Sequence, residues 1–232
     1  MTTTEPTESL SDHISARYRR ARCWNPISAA GIDEVADLLD LRSARTLLDI
    51  GTGTGGVLCD WVARFGLTAT GVDISAGFIR RASEEAAARG VVDRVRFEVA
   101  DGRSPKLAER AHERVVLLGA AGGLGGFFAA VDLAARSTAP GGRFAVGDQL
   151  PAGRDHLERL DHPVVGVVRS TRSDWDRYYT DQWRAVHSWA AAEPDHPEVE
   201  RRLAAVREHQ LRYLAGEASD LDWGVLVFGK RA

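Results

Sequence analysis

The stretch Leu47-Leu48-Asp49-Ile50-Gly51-Thr52-Gly53-Thr54-Gly55-Gly56 decides the reading of this chain. A short apolar run enters a glycine cluster, and Leu58, Trp61, Val62 and Phe65 then recur at i, i+3, i+4 and i+7. That spacing predicts a buried strand, a tight loop and a helix. Gly51-x-Gly53-x-x-Gly56 satisfies a GxGxxG pattern, and Asp73 stands at the end of a second expected strand about 20 residues further on. Strand, glycine loop, helix and distal acid together point to a nucleotide-type ligand at the strand's carboxyl end. A pyrophosphate, drawn to a helix N-terminus, is poorly matched to Asp49, two residues before the first glycine. That carboxylate suits a ligand with a cationic end.

Working outward, strands are expected at 46–50, 68–72, 95–99, 114–118, 143–146, 164–168 and 224–228. Helical spacing joins Ile32, Val35, Leu38 and Leu39. Ser75 caps a helix through Phe78, Ile79, Ala82 and Ala86 that Gly90 ends, and 127–136 reads as another helix. Short links between alternating strands and helices predict a doubly wound, Rossmann-like α/β fold. The expected sheet has seven strands, mostly parallel with an antiparallel last strand, plus helical cap elements. Two consecutive helices, at 174–192 and 197–215, break the alternation late in the chain. The domain expectation is a disordered tail over 1–12 and one domain over 13–232. Within it lie an N-terminal lid at 13–45, a cofactor-binding core at 46–150 and substrate-side helices at about 174–215.

Composition narrows the function. The 232 residues include 30 Lys and Arg against 33 Asp and Glu, a formal net charge of −3, which disfavours coating a polyanion. Cys23 and Cys59 form neither a CxxC pair nor a His/Cys cluster, so no disulfide framework and no metal site is expected. The opening residues lack the basic and apolar regions of a signal peptide. Residues 115–131 are uncharged but interrupted by five glycines, which fits a buried strand and loop better than a membrane span. A cytoplasmic protein without membrane or nucleic-acid partners, monomeric or homodimeric, is the expectation.

Asp49-x-Gly51-x-Gly53-x-Gly55 resembles the first motif of the class I S-adenosylmethionine (SAM)-dependent methyltransferases, whose cofactor carries a sulfonium and an ammonium and no phosphate. Gly71-Val72-Asp73-Ile74-Ser75 resembles the second motif, Val99-Ala100-Asp101-Gly102 the third, and Ala139-Pro140-Gly141-Gly142-Arg143 the turn before the fifth strand. The resemblance implies SAM as cofactor and S-adenosylhomocysteine (SAH) as product. It implies Asp49 at the methionyl ammonium, the backbone of Gly51, Thr52, Gly53 and Gly55 along the cofactor, and Asp73 at both ribose hydroxyls. Ile74, Asp101, Gly102 and Gly119 complete the implied set, with Asp101 toward the adenine amino group. Asn25-Pro26-Ile27-Ser28, Trp175-Asp176-Arg177-Tyr178 and Trp223-Gly224-Val225 are similar to a group of stand-alone bacterial methyltransferases presumed to act on small molecules. After the fifth strand that group tends to carry Gly-Glu-Pro-Tyr-Trp, where this chain has Gly147-Asp148-Gln149-Leu150-Pro151.

Methyl transfer asks the protein mainly for alignment and a dry site. A general base is needed only for a hydroxyl or carbon acceptor. Asp148, after the fifth strand, and His187 are the candidate bases, with His13 behind them. Trp175, Tyr178, Tyr179, Gln182, Trp183, Val186 and Trp189 form one helical stripe, which suits either core packing or a planar substrate. Tyr18, Trp24, Asn25, Trp175, Tyr179 and Trp183 are the expected substrate residues. The resulting expectation is methylation of a small molecule, aromatic or heterocyclic. The alternatives are a non-catalytic SAM-binding protein, an NAD-dependent oxidoreductase and an RNA methyltransferase using the arginines at 17, 19, 20 and 22. The fourth strand ends Leu118-Gly119-Ala120, without the Asn/Asp-Pro-Pro-aromatic signature of enzymes that methylate exocyclic base amines in nucleic acid.

Overall fold

A computed structural model describes residues 24–104, 112–217 and 222–231. Among them the seven strands are β1 (Thr46–Ile50), β2 (Thr68–Asp73), β3 (Val95–Val99), β4 (His112–Leu118), β5 (Thr138–Gln149), β6 (Val164–Arg169) and β7 (Trp223–Gly229). They form one sheet in the order β3-β2-β1-β4-β5-β7-β6. β1 pairs in parallel with β2 and β4, and β4 with β5. β7 runs antiparallel between β5 and β6, so the last strand is the reversed one. The strand order switches direction between β1 and β4, and at such a switch point the carboxyl ends of the strands define the crevice where α/β folds bind ligands.

The helices are α1 (Ala29–Leu38), α2 (Gly56–Phe65), α3 (Ala76–Ala88), α4 (Phe127–Ser137), α5 (Arg154–Leu157), α6 (Arg172–Ala192) and α7 (Val199–Leu214). Strand periodicity divides the core in two. Leu47 faces the cluster containing Ile32, Val35, Leu58 and Trp61, whereas Leu48 and Ile50 face the cluster beneath α4. Both faces are covered, which is why the central strands read as nearly continuous apolar runs.

Four expectations need correction. Residues from 29 onward are not a lid: Ile32, Val35, Leu39 and Leu41 are fully buried in the first cluster. Buried Arg114 also fixes this segment by donating to the Leu39 and Asp40 carbonyls. Trp175 is core rather than substrate wall, being 5% exposed in the same cluster as Trp223. The late helix begins earlier than its aromatic spacing suggests, because Thr171 and Asp174 form a reciprocal capping box. The turn at Pro140-Gly141-Gly142 is carried inside β5, where the register to β4 shifts between His112 and Arg114. Among the described residues no helix is long and apolar enough to cross a membrane. The expected tail at 1–12, His13, the arginines at 17 to 22 and the substrate candidate Tyr18 lie outside the described residues.

Candidate active site

The glycine loop follows β1 directly. Gly51 and Thr52 both donate their backbone N–H to the Val72 carbonyl, at 2.8 and 3.0 Å, which ties the loop to the end of β2. Gly53 holds φ +56, and a Cβ built there meets nothing within 4 Å. The glycine thus supplies a left-handed turn and leaves open space in front of the backbone. Asp73 spans this loop and the next helix: Oδ2 accepts the Gly53 N–H at 3.0 Å, and Oδ1 accepts the Ser75 N–H at 2.9 Å. Ser75 in turn caps α3 by accepting the Phe78 N–H.

Asp49 is 5% exposed, and its carboxylate accepts the Thr52 hydroxyl at 2.8 Å. Burial pushes its carboxyl up to about 7, and the neighbouring Asp73 charge adds to the rise. A ligand cation placed here would relieve both effects. Beyond Asp73, Ile74 is 75% exposed and Val99 56%, two apolar side chains on the sheet's carboxyl edge. A ribose near Asp73 would bring a flat base against them. Open backbone at Gly53, a buried acid under stress and an exposed apolar shelf all fit SAM, a ligand with a cationic end and a flat base.

Gly102 lies against the loop's strand, since a Cβ there would stand 2.7 Å from Ile50 Cγ2. Asp101 accepts from Arg103 in a two-pronged contact, with 2.6 Å to Arg103 Nη2, and that partnership draws its carboxyl down to about 2. The pair is exposed, so it yields readily to a competing ligand.

On the β4 side, Asn25 donates its amide Nδ2 to the Leu118 carbonyl at 3.1 Å. Gly119, at φ +79, faces it so closely that a Cβ would stand 2.1 Å from Asn25 Oδ1. Gly119 and Asn25, expected separately for cofactor and substrate, therefore meet at one point beside the crevice. Asp148 lies within β5, one residue from its end and paired with Gly224, not after the strand as expected, and its oxygens accept the Ala121 N–H at 3.0 Å and the Gln149 N–H at 2.8 Å. It holds the turn after β4 in place.

The helical pair behaves differently. Tyr179 stacks on Trp183 at 6.1 Å and meets Tyr213 edge-on at 4.8 Å. Trp183 donates Nε1–H to His209 Nδ1 at 3.0 Å. Tyr213, 2% exposed, donates its hydroxyl to Asp176, and burial pushes its phenol up to about 12. These rings join α6 to α7. Beside them lies a cavity of about 390 Å³ lined by residues of both helices and by Trp24. Trp24 packs edge-on against Phe78 of α3 at 5.4 Å, and its neighbour Asn25 sits on Gly119. Residues 24 and 25 thus bridge the cavity and the crevice.

Of the sequence candidates, Trp24 and Trp183 line this cavity, and Tyr179 packs behind it among the rings. His187 is a further correction: it is exposed on α6, outside the lining. The histidine bordering the cavity is His209 of α7, which sequence reasoning missed along with Val206. A signal existed, because Arg202, Ala205, Val206, His209 and Tyr213 follow one helical stripe.

The sheet order, the glycine loop and the acids at the ends of β1 and β2 define a class I SAM-dependent methyltransferase. A family profile described as a methyltransferase domain matches residues 47–142. Over 209 residues the chain is 32% identical to the 27-O-demethylrifamycin SV methyltransferase of Amycolatopsis mediterranei (strain S699), covering 83% of this chain and 74% of that one. It is 28% identical over 231 residues to the Escherichia coli (strain K12) protein YjhP, covering 89% and 93%. The crystal structure of a SAM-dependent methyltransferase from Geobacter sulfurreducens in complex with SAH matches with a TM-score of 0.80 at 27% identity, over 94% of this chain and 98% of that one. The chain belongs to the SAM-dependent methyltransferase family, with SAM as its cofactor and SAH as its product.

Proposed function

We propose that this methyltransferase acts on a small-molecule acceptor with an aromatic or heterocyclic body. The observation that carries this reading is the cavity beside α6 and α7, which Trp24 and Asn25 join to the β4 end of the cofactor crevice. Its volume of about 390 Å³ suits a small ligand and is too small for a macromolecular duplex. The relative that acts on 27-O-demethylrifamycin SV is consistent with a small-molecule acceptor. A net charge of −3 gives RNA little reason to bind.

In this reading Asp49 faces the methionyl ammonium and Asp73 the ribose hydroxyls. Gly51, Thr52, Gly53 and Gly55 bring the backbone to the cofactor, and Ile74, Asp101 and Gly102 surround the adenine. When bound there, SAM would supply an electrophilic methyl group to an acceptor held in line with it. Gly119 keeps the β4 end free of side chain where acceptor and cofactor meet. Asn25 and Trp24 exclude water from that junction. Asp148, already engaged by two backbone N–H groups, keeps the β4 turn in place and serves as the base only for a hydroxyl or carbon acceptor. The enzyme works in the cytoplasm as a monomer or homodimer.

The test offers labelled SAM and the full chain to a metabolite extract, to total RNA and to protein, each separately. Label in the low-mass fraction alone is expected. Label confined to RNA or protein would refute the reading, and SAM binding without label anywhere would favour a non-catalytic SAM binder.

A further inference from the structure

The cavity between α6 and α7 is lined unevenly. Trp24 and the α6 residues Tyr178 and Trp183 contribute rings, and Val186, Ala205 and Val206 contribute apolar surface. Helix α7 adds Arg201 and Arg202, and no carboxylate appears among the described lining residues. Both guanidiniums share Glu198: Arg201 Nη2 stands 2.5 Å from one oxygen and Arg202 Nη2 2.7 Å from the other. One carboxylate against two guanidiniums leaves a net positive charge at the α7 side. Because the three residues sit within one helical turn, the forks are held near each other without any distant partner.

His209 adds to this bias. Its Nδ1 accepts the Trp183 N–H, which leaves the ring proton on Nε2 in the neutral tautomer. The polar groups offered to a ligand are therefore mainly donors, from Arg201, Arg202 and His209. Gln182 and Tyr178 are lining side chains that can also accept, through an amide and a phenol oxygen. A ring-walled cavity with a donor-rich, positively charged side matches a flat molecule that ends in a planar anion. Guanidinium forks meet carboxylates with two parallel hydrogen bonds.

The geometry points to an aromatic carboxylate as the acceptor class, its ring against Trp24 and Trp183 and its carboxylate toward Arg201 and Arg202. This rests on the small-molecule reading above. The assignment makes α7 a specificity element although it supplies nothing to the cofactor site.

The test titrates 2-naphthoate and, separately, 2-naphthamide into the full chain saturated with SAH, followed by calorimetry and tryptophan fluorescence. The probes share shape and differ in charge. Naphthoate is expected to bind at least tenfold more tightly. In the Arg201→Gln/Arg202→Gln double variant the two probes should bind within threefold of each other. Val206→Trp should abolish binding of both, with SAH affinity within threefold of wild type and an unchanged circular dichroism spectrum. Equal binding of the two probes to the wild-type chain, or no binding of naphthoate, overturns the assignment whatever the variants do. So does unchanged naphthoate binding in a folded Val206→Trp protein. Failure of the wild-type chain to bind SAH is a different result, and it would strike the cofactor reading instead.

Discussion

At the carboxyl ends of β1 and β2, the proposed cofactor site is built from backbone and from acids within a few residues of a strand end. Asp73 there accepts N–H groups from Gly53 and Ser75, and Gly53 leaves its own space empty. In the α6–α7 pair, the proposed acceptor region, the surface is built from large side chains on two helices whose meeting depends on tertiary packing. Tyr179, Trp183, His209 and Tyr213 must interlock before any cavity exists. The cofactor region is thus fixed by the sheet, which any member of the family must form. The proposed acceptor region can change with the surface of two helices while the sheet stays as it is. Gly119 and Asn25 are where the two regions touch.

The largest effect is expected at that junction. Gly119→Val puts a branched side chain at φ +79 and into Asn25, 2.1 Å from the new Cβ. It should cost about 2–3 kcal/mol of stability and weaken both SAH and acceptor binding. Thermal melts and calorimetry read both quantities. Loss of acceptor binding alone would show that Gly119 does not belong to the cofactor side.

Tyr179→Ala separates the regions next. Its ring is half-buried between Trp175, Trp183 and Tyr213, so truncation should cost about 2 kcal/mol, below the range for fully buried aromatics. SAM affinity should stay within threefold. A stable protein with a raised KM for its acceptor would instead make Tyr179 a direct substrate contact.

Much of this division was legible in the sequence. β1 is buried along nearly its whole length and appears as an apolar run, β2 follows one short helix later, and the loop's chemistry lies within ten residues of these strands. Asp49, the glycines and Asp73 are therefore singled out by spacing, and the fold brings them together at the ends of β1 and β2. The α6 stripe was equally visible, but spacing alone does not say which rings face core and which face a cavity. Trp175 went inward because it joins the buried cluster that also holds Trp223, at the start of β7, a partnership of residues some fifty positions apart that helical spacing does not encode. His209 was overlooked for the same physical reason: its role comes from Trp183, 26 positions away. Within α7 it reads as one polar residue on an amphipathic helix.

A pH dependence sharpens the cofactor side. Asp49 has its carboxyl raised to about 7, above its ordinary value, so the folded apo protein holds a proton there that the unfolded chain releases. Its stability contribution is then greatest at low pH and declines as pH rises from about 4 toward 7. A bound cation favours the carboxylate, so SAH should bind up to about tenfold more tightly at pH 8 than at pH 6. Asp49→Asn should flatten that slope. A slope of opposite sign would mean that Asp49 does not meet the ligand's cationic end.

The smallest effect is expected at Asp148. Asp148→Asn keeps one acceptor oxygen for the Ala121 or Gln149 N–H and should lower kcat less than tenfold, with SAM affinity unchanged. A loss of about 10²–10⁴ would identify it as the general base for a hydroxyl or carbon acceptor.

The most direct test of the cofactor site is calorimetric titration of SAM into Asp73→Ala protein whose melting curve and circular dichroism match wild type. Asp73 is assigned to the ribose hydroxyls, and charge-assisted hydrogen bonds of this kind contribute roughly 1.5–3 kcal/mol. SAM should therefore bind at least tenfold more weakly. Unchanged affinity in the folded variant would contradict the placement of the cofactor at the ends of β1 and β2.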